Sequence, residues 1–178
     1  MSARALVAAW LLVAASACSA AGTAERLADF PRGQVLIVAS SQRCLLVDAW
    51  FAVTDAQRAR GLMYVDALGE FEGMYFGYPE PALITMWMKN TVLPLDMLFV
   101  AADGRIARIA ASTTPWSEAL IRSGTPVVGV LEVNGRFAAT WGVAAGDRLT
   151  VLQPGGGGGA ARQATSQRSA YPAGLSSR

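Results

Sequence analysis

The sequence predicts a mainly β fold, a compact antiparallel β-sandwich or partly closed barrel with one or two short helices. Short apolar runs alternate with Gly, Pro, Asn and Asp along the middle of the chain, which is the pattern of strands and turns. Only one segment carries a full set of helix signals. The strand–helix–strand alternation of a parallel α/β sheet is missing.

Strands are expected over residues 35–38, 44–53, 84–88, 97–101, 105–110, 127–133 and 148–152, each a β-branched or otherwise apolar run bounded by turn residues. Asp103-Gly104 between two of these runs is a hairpin turn signal. The helix begins at Thr54-Asp55-Ala56-Gln57, where the Thr hydroxyl and the Gln amide suit a capping box, and Gly61 offers its stop. A second short helix is expected around residues 117–121. The folded body is expected to run over 34–153. It is preceded by a flexible tether over 18–33 and followed by a disordered Gly-rich tail over 154–178, which contains five consecutive glycines.

Residues 1–17 have the plan of a secretory signal: Arg4, then the apolar run ALVAAWLLVAA over 5–15, then small residues. That run is too short for a stable span, which needs about 20 apolar residues. Ala15-Ser16-Ala17-Cys18 resembles the bacterial lipobox, in which the cysteine thiol receives lipid and becomes the first residue after cleavage. Ordinary cleavage after Ala17 or Ala20 is the competing reading. Either way the protein is expected to be exported, as a periplasmic protein or as a membrane-anchored lipoprotein facing the periplasm. More than one acyl chain on Cys18 would make the attachment stable. Cys44, the other cysteine, then has no partner, and its apolar neighbours mark it as a buried small hydrophobe.

Between Glu25 and Gln153 the chain carries 11 basic and 13 acidic residues. A nucleic-acid surface needs clustered Lys and Arg instead, so no nucleic-acid partner is expected. There is no histidine, which removes the usual Ser-His and Cys-His nucleophile pairs and ordinary His-ligated zinc. Acidic residues are scattered without calcium-loop spacing, and no Gly-rich phosphate loop precedes a helix. No metal and no cofactor are expected.

The stretch Met86-Trp87-Met88-Lys89-Asn90-Thr91, followed by Pro94-Leu95-Asp96, is the most informative part of the chain. With Arg60-Gly61-Leu62-Met63, Gly73-Met74-Tyr75-Phe76, Asp103-Gly104-Arg105-Ile106, Leu131-Glu132-Val133 and Gly146-Asp147-Arg148, it resembles the domain of unknown function family 192. The resemblance covers nearly the whole folded region. It implies a compact β-rich domain, often exported, without an established activity.

Lys89 is the sole lysine among 15 basic residues. An ammonium is a compact charge that can lose its proton when desolvated, so a site needing either property would not accept Arg. Lys89 therefore either contacts an anionic ligand or activates chemistry, or else it pairs structurally with a carboxylate such as Asp96 or Glu132 and helps fix the strand ends. Asp96 stands at a strand mouth, facing a cleft or capping a turn. Glu132 lies within an apolar run, where it either points outward or has a specific partner. Asn90 and Thr91 are neutral hydrogen-bonders beside Lys89, and these five residues form the candidate ligand site. Asp147 reads as a turn residue, and Arg60 as a cation suited to a helix C-terminus. Trp50, Trp87, Trp116 and Trp141 read as core, or alternatively as a stacking platform.

Three functions compete. The first is a non-catalytic envelope module binding a small molecule, a cell-wall fragment or an envelope protein around Lys89. The second is an extracytoplasmic hydrolase using Lys89 with Asp96 or Glu132, and the third is a purely structural lipoprotein.

Overall fold

The computed structural model describes Thr23 and residues 26–152. The expected signal segment, Cys18 and the Gly-rich tail lie outside the described residues. The elements with described bounds follow one another as β1 (Arg32–Val38), β2 (Cys44–Ala52), α1 (Asp55–Arg60), β3 (Glu72–Ala82), β4 (Thr85–Met86), β5 (Leu95–Val100), β6 (Ile106–Ala110), β7 (Ile121–Arg122), β8 (Val127–Asn134), α2 (Phe137–Trp141) and β9 (Arg148–Leu152).

Seven strands form one sheet in the order β6-β5-β8-β3-β2-β1-β9, while β4 and β7 form a separate pair. The sheet curls until its edges meet at one end. There the Ile106 N–H donates to the Asp147 carbonyl and the Leu149 N–H to the Gly104 carbonyl, each at 2.8 Å. The result is an open half-barrel, mostly β, as the apolar pattern predicts. All strand pairs but one are antiparallel. The exception joins β2 and β3, which run parallel from Asp48↔Glu72 to Ala52↔Phe76. Residues 53–71 with α1 form the long crossover that a parallel pair requires, so one strand–helix–strand unit does exist here.

The signals around α1 are realised in full. Thr54 accepts from the Gln57 N–H at 3.2 Å, the Gln57 side chain accepts from the Thr54 N–H at 3.1 Å, and Gly61 closes the helix with a positive φ. The Asp103-Gly104 turn also forms, with Gly104 at φ 80°. Its N–H donates to the Ala101 carbonyl at 2.9 Å.

Three expectations need correction. No helix forms at 117–121, where Ile121–Arg122 instead becomes β7. The second helix is α2, held by a distant carboxylate described below. Cys44 is exposed: along β2 residues 45, 47 and 49 face the core while 44, 46 and 48 face out, so period-2 alternation overrides the apolar composition. The tether also ends sooner than expected, because Leu27 and Phe30 are buried in the core.

Both faces of the sheet are covered. The concave face packs Val35, Val47, Phe51, Leu98, Leu131 and Leu149 with Phe137 of α2. The other face packs Trp50, Met74, Met97 and Val130 against Leu27, Leu62 and Met88. Of the tryptophans read as core, Trp50 is buried, Trp141 is half-buried, and Trp87 and Trp116 are exposed. Both exposed rings sit on loops outside the sheet, where no second layer covers them.

Candidate functional site

The covered convex face places Glu132. On β8 it lies opposite Met74 of β3 and Met97 of β5, on the covered face, and it has no ion partner among the described residues. Its residue exposure is 4%, and among the described residues no hydrogen bond reaches its carboxyl. Burial pushes that carboxyl up from its ordinary 4.5 to about 8, because removal from water penalises the charged form. At neutral pH most Glu132 side chains are therefore carboxylic acids that can donate as well as accept.

Glu132 lines a cleft of about 310 Å³ formed by α1, the turn after it, β3 and the segment around β4. Lys89 and Thr91 line the same cleft, with Tyr78, Arg58 and Trp87. The Lys89 Nζ stands 5.1 Å from the centre of the Trp87 ring, a cation–π contact. It makes no ion pair among the described residues, so pairing with Asp96 or Glu132 is absent. The buried Thr91 hydroxyl donates to the Lys89 carbonyl at 3.3 Å, and its N–H donates to the Met88 carbonyl at 3.1 Å. These bonds fix the tight loop that presents Lys89.

Arg58 contributes less free charge than its position suggests. Its guanidinium pairs with Asp55 at 2.6 Å and donates to the carbonyls of Val53 and Gly77 at 2.7 and 2.8 Å, tying α1 to β3. It also lies 5.2 Å from the centre of the Tyr78 ring. Burial raises the Tyr78 phenol; the Arg58 charge opposes the rise and a Glu132 charge adds to it. Tyr78 and Glu132 thus share one electrostatic environment. Arg60 pairs with Asp29 at 3.2 Å, an exposed contact beyond its favourable helix-end position.

Two candidates do not join the cleft. Asp96 is fully buried, and its oxygens accept from the backbone N–H groups of Ser112 at 2.7 Å, Arg136 at 3.0 Å and Ala138 at 2.8 Å. It caps α2 from another strand, since Arg136 at the N-cap makes no side-chain cap. Asn90 adopts φ 55°, and its carbonyl accepts from the Tyr64 N–H at 2.9 Å. Asp147 serves its turn, accepting from Ser40 and Ala144 N–H groups at 2.8 Å each. Tyr78 and Arg58 escape sequence reasoning. Tyr78 sits in the Pro- and Gly-punctuated run Gly77-Tyr78-Pro79, which carries no strand or site signal.

Among the described residues there is no group of His, Cys, Asp and Glu able to hold a metal ion. The cleft brings together a hydrogen-bonding acid, an ammonium and the aromatic rings of Trp87 and Tyr78.

Residues 36–151 match DUF192, described as an uncharacterized ACR. Among curated proteins none matches. A crystal structure from Sinorhizobium meliloti 1021, described as a candidate transcription regulator, is 42% identical with a TM-score of 0.67. The match covers 68% of this chain and 95% of that one. A protein of unknown function from Novosphingobium aromaticivorans DSM 12444 is 38% identical with a TM-score of 0.65, over 67% of this chain and 84% of that one. The match spans β1 to β9 and includes Lys89, Thr91 and Glu132: this chain belongs to the DUF192 family.

Proposed function

We propose that this protein is an exported, lipid-attached envelope module that binds a small anionic ligand in the Lys89–Glu132 cleft without transforming it. One observation carries the reading: Lys89, without a carboxylate partner among the described residues, and the Glu132 carboxyl, without a hydrogen bond among them, line one cleft. A ligand in that cleft can donate to or accept from the Glu132 carboxyl, which is largely a neutral acid at neutral pH. The ligand's anion meets Lys89, and its body lies against Trp87. The volume of about 310 Å³ suits a ligand at the small end of the usual range. A transcription-regulator role draws no support from a body in which acidic residues outnumber basic ones.

Thermal melting with muramyl dipeptide, short dicarboxylates and inorganic phosphate tests this reading. A true ligand raises the melting temperature in proportion to the logarithm of its concentration, and Lys89→Met abolishes the rise. A melting temperature unmoved by all three probes would overturn it.

The raised pKa of Glu132 favours a second reading. A carboxyl titrating near 8 is suited to general acid–base catalysis, with Glu132 exchanging a proton with a substrate held by Lys89. Turnover of an envelope substrate that disappears in both Glu132→Gln and Lys89→Met would establish it. Turnover retained in either variant would remove that residue from the mechanism.

A further inference from the structure

Four large apolar side chains stand exposed around one loop: Tyr64 at 50%, Trp87 at 43%, Val92 at 37% and Trp116 at 56%. Backbone hydrogen bonds hold their loops together. The Tyr64 N–H donates to the Asn90 carbonyl at 2.9 Å, the Trp116 N–H to the Thr91 carbonyl at 3.1 Å, and the Met88 N–H to the Ser117 carbonyl at 2.9 Å. Tyr64 and Trp116 are also held at φ 61° and 63°. Left-handed backbone is costly for bulky residues, so the fold accepts strain where these two rings are exposed. Lys89 stands among them.

The placement of the N-terminal segment says what this rim faces. The Thr23 hydroxyl lies 3.3 Å from Asp66 Oδ1 and 3.2 Å from the Ala67 carbonyl, and Leu27 is buried with Leu62 and Val65. The chain therefore meets the body beside the loop that carries Tyr64. Cys18 lies five residues before Thr23, at most about 18 Å of extended chain. A lipid on Cys18 would hold the Asp66–Ala67 end of that loop, two residues from Tyr64, within about that distance of its bilayer. Exposed Trp and Tyr with a nearby cation are the composition that settles at membrane interfaces.

We propose that the rim formed by Tyr64, Trp87, Val92 and Trp116 docks on the surface of the bilayer to which the N-terminal segment leads, with Lys89 meeting anionic headgroups. Because Trp87 and Lys89 also line the cleft, docking turns the cleft toward the headgroup layer. The inference rests on the export and lipid-attachment reading for the membrane's direction. The rim's own affinity is measured without the lipid, so the two can fail separately.

The test uses the chain from Ser19 to Arg178, which contains every described residue and lacks both the signal segment and Cys18. It is mixed with vesicles of phosphatidylcholine, alone or with phosphatidylglycerol. Lipid is present at about the millimolar effective concentration that a short tether supplies. The protein is expected to float with the phosphatidylglycerol vesicles and to show tryptophan quenching by brominated acyl chains. The double variant Tyr64→Asn/Trp116→Asn changes neither cleft lining nor core, and Asn tolerates left-handed backbone. It should bind the vesicles at least about tenfold more weakly while keeping its fold and any ligand-induced rise in melting temperature. Equal vesicle binding by the double variant, or none by the parent chain, would overturn the proposal. A dimer abolished by the same substitutions, with no vesicle binding, would assign the rim to a second copy instead.

Discussion

Replacing Glu132 with Gln should stabilise the protein, by an amount that grows with pH. In the unfolded chain the carboxyl ionises at its ordinary 4.5, whereas in the folded protein burial holds it protonated to about 8. Between these values the folded state binds the extra proton, so the stability of the parent falls as pH rises. Below pH 4.5 the carboxyl is neutral in both states and the cost is absent. Above pH 8 it is ionised in both and the full cost is present. Each pH unit between is worth 1.36 kcal/mol, which gives a total of about 5 kcal/mol and about 3 kcal/mol at neutral pH. Gln keeps nearly the same shape and never ionises. Urea denaturation of parent and Glu132→Gln should therefore agree near pH 4.5 to within about 1 kcal/mol, diverge with increasing pH, and run parallel above pH 8. Comparing the two proteins cancels every other titrating group to first order. Parallel curves from pH 4.5 to 9 would refute the reasoning, because they would mean that the carboxyl ionises normally in the folded cleft.

Three further substitutions separate structure from site. Asp96→Ala leaves the N–H groups of Ser112, Arg136 and Ala138 without their acceptor, and should cost about 3 kcal/mol or more in denaturant. A loss below about 1 kcal/mol would show that water replaces the carboxylate. Lys89→Met should change stability by less than about 1 kcal/mol, because only an exposed cation–π contact is lost; a larger loss would reveal a structural partner. Gly73→Ala should cost about 2 kcal/mol by the same measurement, since a Cβ there runs into the Glu132 carbonyl oxygen across the β3–β8 pair. Unchanged stability would mean that the two strands can separate without penalty.

Much of the framework was legible in local patterns. The capping box of α1, the Asp103-Gly104 turn and most strand positions depend on neighbours within a few residues, so composition and spacing report them directly. β3 was not legible because Gly73, Gly77, Pro79 and Pro81 read as punctuation. Its pairing with β2 and β8 outweighs its weak strand propensity, and Gly73 is required there by the approach of the Glu132 backbone. α2 was missed because its capping carboxylate comes from Asp96, about 40 residues earlier.

The site divides the same way. Lys89 drew attention as the only lysine, and Glu132 as a charge inside an apolar run; both are properties of the chain. Neither property reveals whether Glu132 points out or in, nor that Asp96 is occupied by backbone N–H groups while Tyr78 reaches the cleft. By itself the sequence determined the local elements, the family and the two residues most worth testing. Only the curling of the sheet, with loops packed over its convex face, decided that Glu132 is desolvated and shares a cleft with Lys89, because burial and shared lining come from contacts between segments far apart in the chain.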